Sequence, residues 1–296
     1  MKIIAGPTSN DIAEKISKNL DIPKLEIEYK YFYDGETYLK IDDSVTLEDI
    51  IIVQSTSPPQ EKHLLELLFI ASTLKEFGAE KIHAVVPYLC YSRADRRKRK
   101  GEILSHHVVL ELLYKSGIDS LLSINVHNEE AFNQFIPQLE KYSLRTDFLI
   151  AEEIKKLQIT DLFIVGPDKG ITKNIEIIAN ELKVPFGFFD KNRDPETHNV
   201  TLTDTGIECK DKNIVLFDDI ITSGSTAFKA IDLLLEKKSK SIIFACIHSL
   251  SKTDVFEKMR QKGVRDIFST NTIPRNDIKQ IDITPLISKF IEEKFL

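Results

Sequence analysis

Residues 214–226 read IVLFDDIITSGST, and this stretch decides the fold class. An apolar run suited to a buried strand is followed by two carboxylates, then by a short loop rich in glycine and hydroxyl groups. An Ala- and Leu-rich helix is predicted from about Thr226 to Glu236. This order of strand, loop and helix is typical of parallel α/β sheets, in which ligands bind at the carboxyl ends of the strands.

The same alternation of apolar runs and amphipathic stretches extends outward along the whole chain. We therefore expect an α/β protein of two similar domains, residues 1–142 and 143–296, each with a mostly parallel sheet flanked by helices. The halves share an order of elements without a matching residue-level repeat, so a duplicated fold is a hypothesis. The predicted strands are 50–53, 82–86, 120–126, 162–165, 186–189, 214–217 and 242–247.

The composition is that of an ordinary globular chain of 296 residues, with 42% hydrophobic and 29% charged side chains. Forty basic and 46 acidic residues give a net charge of −6, which disfavours a protein that coats nucleic acid through bulk charge. We expect small molecules and other subunits as partners, with no nucleic acid and no membrane.

The cysteines and the N-terminus bear on the cellular compartment. Cys90, Cys209 and Cys246 lie far apart without a C-x-x-C pair, which argues against a zinc site or a disulfide framework. The chain turns polar at residues 6–10, and no stretch reaches the ~18 apolar residues that a membrane span needs. A reducing, cytoplasmic location is expected.

Residues 222–226, called the hydroxyl loop below, have the chemistry of a phosphate-binding loop. Small residues let backbone N–H groups approach a phosphate, hydroxyl groups add donors, and the dipole of the following helix favours an anion. Asp218 and Asp219, the acidic pair, can accept hydrogen bonds from vicinal sugar hydroxyls. The alternative interpretation is a polar helix cap beside a solvated acidic pair. Neither G-x-x-x-x-G-K-[ST] nor G-x-G-x-x-G occurs in the chain. The predicted phosphate-binding residues are Thr222, Ser223, Gly224, Ser225 and Thr226.

Residues 214–226 resemble the motif that binds 5-phosphoribosyl diphosphate (PRPP) in the type I phosphoribosyltransferase fold. Four further segments have the order and spacing found in ribose-phosphate pyrophosphokinases, or PRPP synthetases. The resemblance extends from about residue 3 to 275. It implies transfer of the β,γ-diphosphate of ATP to the 1-hydroxyl of ribose 5-phosphate, giving PRPP and AMP, with Mg²⁺ required. The four segments are 32–36, 54–57, 87–97 and 190–193.

The resemblance also assigns roles to individual residues. Lys191 and Arg193 would be catalytic, because the matching family residues lie on a flap and stabilise the transition state. They alternate on an extended segment, which would point both side chains to one side; a solvated strand end is the alternative. The ATP-binding residues would be Phe32, Asp34, Glu36, Arg93, Asp95, Arg96 and His127. The ribose 5-phosphate site would consist of Asp168, the acidic pair and the hydroxyl loop.

Residues 93–100, called the basic loop below, contain six basic side chains in eight positions. Such a run by itself indicates a solvated face or a nucleic-acid patch. It follows a predicted strand and the turn at Pro87-Tyr88, where a loop could fold over a triphosphate. The resemblance places Arg93, Asp95 and Arg96 in such an ATP loop.

His127 and Asp168 each follow a predicted strand, and the resemblance implies that both contact a metal ion. Two protein ligands are enough for magnesium, because it keeps bound waters and uses substrate phosphate oxygens as further ligands. A lone histidine is more often structural, and that alternative stays open for His127. The other histidines are interpreted as structural or surface residues.

Phe32, Asp34 and Glu36 lie where the family's N-terminal hairpin reaches into a neighbouring subunit and holds adenine. This implies a homo-oligomer with a shared active site at the interface of the domains. The alternative is a β-hairpin with a buried aromatic strand.

Two other functions remain open at this point. The acidic pair and hydroxyl loop would also suit a phosphoribosyltransferase that consumes PRPP, although that class has no evident use for the segments in the first half. A catalytically silent regulatory subunit is suggested by two departures from the family pattern, Ala94 in place of Gln and Asn125 in place of Asp.

Overall fold

The computed structural model describes residues 1–41, 45–193, 200–203 and 205–296, without the side chains of residues 191–193 and 200. The strands are β1 (Lys2–Ala5), β2 (Lys24–Leu25), β3 (Ile27–Tyr31), β4 (Thr37–Ile41), β5 (Ile50–Val53), β6 (Ile82–Val86), β7 (Ser120–Ile124), β8 (Glu140–Leu144), β9 (Leu162–Gly166), β10 (Phe186–Phe188), β11 (Asp190–Arg193), β12 (Val200–Thr203), β13 (Asn213–Ile221), β14 (Ser241–Ser249), β15 (Val264–Thr270) and β16 (Lys279–Ile281). The helices are α1 (Asn10–Leu20), α2 (Gln60–Glu76), α3 (Ser105–Lys115), α4 (Glu129–Gln134), α5 (Asp147–Lys156), α6 (Thr172–Leu182), α7 (Ser225–Glu236), α8 (Thr253–Gln261) and α9 (Thr284–Lys294), with a 3₁₀ turn at Lys169–Ile171.

The described residues form two compact units. The first contains residues 1–144, 272–274 and 283–296, and the second contains residues 145–271 and 275–282. The chain therefore returns to the first unit for α9, which packs against α1. The sequence-based division at residue 142 does not include this return, because a cut at one point leaves each half contiguous.

Each unit is built on a six-stranded sheet in which every pairing is parallel. The first sheet has the order β2-β1-β5-β6-β7-β8 and the second has β10-β9-β13-β14-β15-β16. Adding eight to each strand number of the first order gives the second order. The antiparallel hairpins β3–β4 and β11–β12 also occupy matching positions in the order of strands along the chain. The predicted fold of two similar, mostly parallel α/β domains is confirmed.

The central strands form because their residues can be buried on both faces. Every residue of β5, β6, β7 and β9 is buried, as expected for parallel strands covered by helices on both sides. In the second unit, apolar residues of β13 and β14 pack against those of α7 and α8 in one core. The sheets thus hold the strand ends, and the loops that follow them, in fixed positions.

A short residue-level match accompanies the repeated topology. Gly6-Pro7 follows β1, and Gly166-Pro167 occupies the same place at the end of β9. Ala5 pairs with Val53, while Val165 pairs with Leu216, so the strand registers of the two units can be superposed. This match supports the hypothesis of a duplicated fold.

Several predicted strand ends differ from the observed ones. The predicted strand 214–217 is Asn213–Ile221 in the structure, so the acidic pair lies inside β13 and not after it. The extension forms because β14 also runs on to Ser249 and keeps pairing with it. The strand predicted to reach residue 126 ends at Ile124. No helix among the described residues has the length and apolar character needed to cross a membrane.

Candidate active site

The acidic pair lies on a part of β13 that has a strand neighbour on one side only. Pairing with β9 ends at Leu216, whereas pairing with β14 continues to Ile221. Asp218 and Asp219 are therefore half-buried at the carboxyl edge of the sheet, and Asp218 Oδ1 accepts a hydrogen bond of 2.9 Å from the Asp219 N–H. Burial, and then the charge of Asp218, raise the pKa of Cys246 on the neighbouring strand. The edge thus carries two adjacent carboxylates that are partly accessible to solvent.

The hydroxyl loop leads directly from β13 into the N-terminus of α7. Gly224 is the N-cap residue and has a left-handed backbone with φ of 74°, which suits glycine. Thr222, Ser223 and Ser225 are exposed, and Thr226 is half-buried. Gly224 has no side chain to cap this helix end, and the Ser223 hydroxyl accepts a hydrogen bond of 3.4 Å from the Ser225 N–H. The first N–H groups of α7 and the exposed hydroxyls therefore form a set of donors for an anion.

Ser251 supports the hydroxyl loop from the buried side, and the sequence analysis did not identify it. Its side chain is 4% exposed, and its hydroxyl donates a hydrogen bond of 2.5 Å to the carbonyl oxygen of Thr222. The Leu250 N–H also donates to the Ile221 carbonyl at 2.9 Å. An isolated serine after a strand gives no signal in the sequence, because only the fold brings it under the loop.

Asp168 lies at the carboxyl end of β9, the strand next to β13 in the sheet. It is half-buried, and its Oδ1 accepts a hydrogen bond of 2.8 Å from the Gly170 N–H at the start of the 3₁₀ turn. The structure therefore brings Asp168 to the same sheet edge as the acidic pair and the hydroxyl loop. These predicted ribose 5-phosphate residues all belong to the second unit.

The basic loop and His127 follow β6 and β7, which are neighbours in the first sheet. Asn128 joins them: its Nδ2 donates to Asp95 Oδ2 at 2.5 Å, while its Oδ1 accepts from two N–H groups at the start of α4. Arg93 and Arg96 are exposed, as is His127. The predicted ATP residues of these two segments therefore meet at one edge of the first unit. An Asn before two glutamates is a recognisable N-cap signal, but its bond to Asp95 is not.

Local hydrogen bonds hold the backbone of the basic loop while its cations stay exposed. The Glu102 carboxylate accepts hydrogen bonds from the N–H groups of Lys98 at 2.6 Å and Arg99 at 3.1 Å, which lower the pKa of Glu102. At the other end, the Tyr91 hydroxyl donates to Glu61 at 2.5 Å, and this bond raises the pKa of Tyr91 to about 12. The loop thus presents positive charge suited to a polyphosphate.

The hairpin tip, residues 32–36, is exposed throughout. It joins β3 to β4 and is closed by a hydrogen bond of 2.9 Å from the Phe32 N–H to the Glu36 carbonyl. Phe32 is 44% exposed and Tyr33 is 109% exposed, so the alternative of a buried aromatic strand is wrong. The aromatics stay outside because the hairpin forms its own two-stranded sheet. Phe32, Asp34 and Glu36 are brought together on this tip.

The segment 54–57, part of the family resemblance, is buried and structural. Ser55 Oγ donates to the Thr272 carbonyl at 2.7 Å, and Thr56 Oγ1 donates to the Tyr88 carbonyl at 2.8 Å. Gln54 Oε1 accepts from the Thr8 N–H at 3.1 Å. These bonds tie the ends of β1, β5 and β6 together and satisfy polar groups that water cannot reach.

At the matching positions of the first unit, which the structure describes, neutral side chains stand where the second unit has the acidic pair. When the Gly-Pro turns are superposed, Ser55 and Thr56 take the places of the two carboxylates, and Thr8 takes the place of Asp168. Thr8 Oγ1 donates to the Ser55 carbonyl at 2.7 Å, so these neutral groups bond to one another. At these matched positions, the second unit has carboxylates and the first unit has hydroxyl groups.

Lys191 and Arg193 lie on β11, which pairs with β12 in an antiparallel hairpin. The extended backbone matches the prediction, but the side chains of residues 191–193 lie outside the described part of the structure. The polar stretch 194–199 that the sequence places next to them also lies outside the described residues. Their catalytic role stays a prediction.

A magnesium site is compatible with these residues, although no group of three or more His, Cys, Asp or Glu in the described part of the chain could hold a metal alone. Asp168 and the acidic pair offer carboxylate oxygens at one sheet edge, which are the ligands that Mg²⁺ prefers. Mg²⁺ commonly binds through one or two carboxylates, with waters and substrate phosphates completing the shell. The donor set therefore fits Mg²⁺ in the presence of a phosphorylated substrate.

Comparison with known proteins identifies the family. Residues 1–117 match the model for the N-terminal domain of ribose phosphate pyrophosphokinase, and residues 138–280 match the phosphoribosyl transferase domain. The chain is 38% identical over 291 residues to a ribose-phosphate pyrophosphokinase of Saccharolobus solfataricus, covering 97% of this chain and 99% of that protein. It is 33% identical over 294 residues to one from Methanothermobacter thermautotrophicus, covering 98% and 100%.

A solved structure agrees over the same length. Phosphoribosylpyrophosphate synthetase from Mycobacterium smegmatis has a TM-score of 0.89 and 27% identity, covering 99% of this chain and 98% of that one. The matches therefore cover both halves of the chain. The chain belongs to the ribose-phosphate pyrophosphokinase family.

Proposed function

We propose that the chain transfers the β,γ-diphosphate of ATP to the 1-hydroxyl of ribose 5-phosphate, producing PRPP and AMP. One observation carries the proposal: a half-buried acidic pair at a sheet edge runs directly into an exposed hydroxyl loop at the N-terminus of a helix. The vicinal hydroxyls and the 5-phosphate of one ribose 5-phosphate molecule need these two kinds of partner side by side.

Ribose 5-phosphate would bind to the second unit. Asp218 and Asp219 accept hydrogen bonds from the vicinal 2- and 3-hydroxyls, since ionised carboxylates are strong acceptors. The hydroxyl loop and the first N–H groups of α7 bind the 5-phosphate, whose charge the helix dipole favours. This orientation leaves the 1-hydroxyl free to attack.

ATP would bind to the first unit. The exposed guanidinium groups of Arg93 and Arg96 offer paired donors to phosphate oxygens. Asp95 accepts a hydrogen bond from Asn128, the residue that follows His127 in the sequence. At the hairpin tip, Phe32 would stack on adenine, and Asp34 and Glu36 would accept from its exocyclic amine.

Mg²⁺ is the proposed cofactor, held by Asp168 with a contribution from His127. When bound, it would neutralise charge on the phosphate oxygens and so ease the approach of a nucleophile. The half-buried carboxylate of Asp168 and its place at the end of β9 support this role.

Lys191 and Arg193 would stabilise the charge that develops as AMP departs. Transfer between two polyanions needs alignment and neutralisation more than covalent help from the protein. Two cations on one extended strand satisfy that need, and the extended backbone of β11 supports the proposal.

We further propose a homo-oligomer whose hairpin tip completes the active site of a neighbouring subunit, in the cytoplasm where phosphorylated sugars and ATP are found. The full exposure of the tip supports this, because an adenine-binding aromatic exposed at 44% needs a partner surface to exclude water.

The test is mass spectrometry of a mixture of the purified chain, Mg²⁺, ATP and ribose 5-phosphate. Equal amounts of PRPP and AMP are expected. A PRPP-consuming transferase would form neither product here but would release diphosphate in a second mixture of PRPP and a base, and a silent regulatory subunit would form no product in either mixture. Either result would contradict the proposal.

A further inference from the structure

We propose that Ser251 and Arg275 are positioning residues that fix the direction of the Ser223 backbone N–H in the hydroxyl loop and thereby set the affinity for the sugar phosphate. The inference rests on the proposed function, because it assigns a support to the loop that binds the 5-phosphate. Neither side chain belongs to the set predicted from the sequence.

The first contact is between Ser251 and the loop. The Ser251 hydroxyl donates to the Thr222 carbonyl at 2.5 Å, and Ser251 is 4% exposed while Thr222 is exposed. A buried hydroxyl thus pulls one carbonyl of the loop toward the protein interior. A hydrogen bond at a buried site has little competition from water, so it orients its partners firmly.

The orientation of that carbonyl determines the orientation of the next N–H. The peptide group between Thr222 and Ser223 is planar and trans, so its C=O and N–H point in opposite directions. With the carbonyl held inward by Ser251, the Ser223 N–H points outward to the exposed side of the loop. Backbone N–H groups aimed outward from a small-residue loop are what a phosphate group binds.

Arg275 holds Ser251 in turn. Its Nη1 donates to the Ser251 carbonyl, while Nε and Nη2 donate to the two carboxylate oxygens of Asp277 at 2.8 and 2.6 Å. The guanidinium carbon lies 4.7 Å from the ring centroid of Phe256, which is fully buried. The planar guanidinium group of Arg275 presents its N–H donors as a rigid fork. Only one orientation of this fork satisfies all of these partners.

The ion pair between Arg275 and Asp277 is present across the physiological pH range. The hydrogen bonds from Arg275, opposed by partial burial, lower the pKa of Asp277 to about 2. The Arg275 N–H also donates to Gln280 Oε1 at 2.8 Å, which fixes the backbone that carries the fork. Arg275 therefore acts on the loop through Ser251 and has no need to touch the substrate.

Ser249 provides a matched control. It is two residues before Ser251 and fully buried, and its hydroxyl has no hydrogen-bond partner among the described residues. Ser249→Ala and Ser251→Ala remove the same atom from similarly buried sites, but only the second removes a bond to the loop.

The experiment first measures PRPP and AMP formation by the full-length wild type, then titrates ribose 5-phosphate into each variant by calorimetry in Mg²⁺ without ATP. We expect Ser251→Ala to weaken ribose 5-phosphate binding about fivefold or more, the effect of losing one buried hydrogen bond. The KM for ATP should stay within about twofold, the scatter of substitutions that remove no interaction. Ser251→Thr, which keeps the hydroxyl, should restore binding.

Arg275→Lys gives a second, independent readout, because lysine keeps the charge but cannot form the fork. It should weaken ribose 5-phosphate binding in the same direction, again with the KM for ATP unchanged. Should Ser251→Ala fail to fold, this variant and Ser251→Thr decide the question.

The outcomes separate the two proposals. A wild type that neither binds ribose 5-phosphate nor forms PRPP overturns the proposed function and this inference with it. A working wild type with Ser251→Ala and Arg275→Lys both indistinguishable from Ser249→Ala overturns this inference alone. Equal losses for ribose 5-phosphate and ATP would also overturn it, since they would indicate a general structural defect.

Discussion

Replacing Gly224 by alanine tests whether the hydroxyl loop needs the conformation seen at the start of α7. The residue has φ of 74°, and an added Cβ would lie 2.7 Å from Val255 Cγ1 and 3.0 Å from Phe228 Cε2. A left-handed backbone costs an alanine about 1–2 kcal/mol. Displacing packed neighbours costs about 1–3 kcal/mol more. The free energy of unfolding of the second unit should therefore fall by about 2–5 kcal/mol.

Gly263→Ala separates the two contributions. Gly263 also has a positive φ, of 91°, but no atom lies within 4 Å of its added Cβ. This variant should lose only the backbone contribution of about 1–2 kcal/mol. Thermal unfolding of the two variants should therefore differ by about 3–10 °C, with Gly224→Ala the lower.

Ligand binding completes the test. Gly224→Ala should also weaken ribose 5-phosphate binding, because a shifted N-cap moves the first N–H groups of α7, whereas Gly263→Ala should bind as wild type. Equal melting temperatures for the two variants would refute the steric reasoning. Unchanged affinity in Gly224→Ala would refute the assignment of this loop to the phosphate.

Three further predictions concern other residues of the chain. Burial lowers the pKa of His106 to about 4 from 6.5, so the unfolded chain takes up this proton first as the pH falls. The unfolding free energy should decrease by up to about 3 kcal/mol between pH 6.5 and 4, and His106→Phe should remove this part of the pH dependence in denaturant titrations. Asn128→Ala removes both the cap of α4 and the bond to Asp95 and should raise the KM for ATP; Asn128→Asp, which keeps the cap, should raise the KM equally if the bond to Asp95 matters. Lys191→Ala should lower kcat about 100-fold or more while ribose 5-phosphate still binds, and normal turnover would remove Lys191 from the mechanism.

The sequence predicts the alternating framework well because the buried parallel strands are short apolar runs with clear helical stripes between them. The strand at Ile50–Val53 and the strand at Ile82–Val86 have the bounds that the sequence predicts. Such strands are read from their own residues, since burial on both faces leaves no polar alternation to interpret.

The end of β13 could not be predicted in this way. Asp218 and Asp219 interrupt the apolar run, which is the ordinary signal for the end of a strand. Pairing with β14 carries the strand on to Ile221, and that neighbour lies about 30 residues away in the sequence. The length of β13 therefore depends on its pairing with β14, and the residues of β13 alone do not encode it.

Candidate site residues also divide into those that a single segment reveals and those that depend on a distant partner. The hydroxyl loop and Asp168 stand out because their chemistry is concentrated in a few adjacent positions. Ser251 and Asn128 act through bonds to residues 29 and 33 positions away, at Thr222 and Asp95. Such partners become visible only when the strand ends are assembled.

The return of α9 has a consequence for synthesis on the ribosome. Ile287 and Ile291 are fully buried, and Asn19 Nδ2 in α1 donates to Ser288 Oγ at 3.1 Å. The face of α1 that α9 covers stays open until residues 283–296 have left the exit tunnel, after every residue of the second unit has already emerged. The unit that is translated first is therefore the one that finishes folding last, and a nascent chain stalled before residue 283 would expose that face to chaperones.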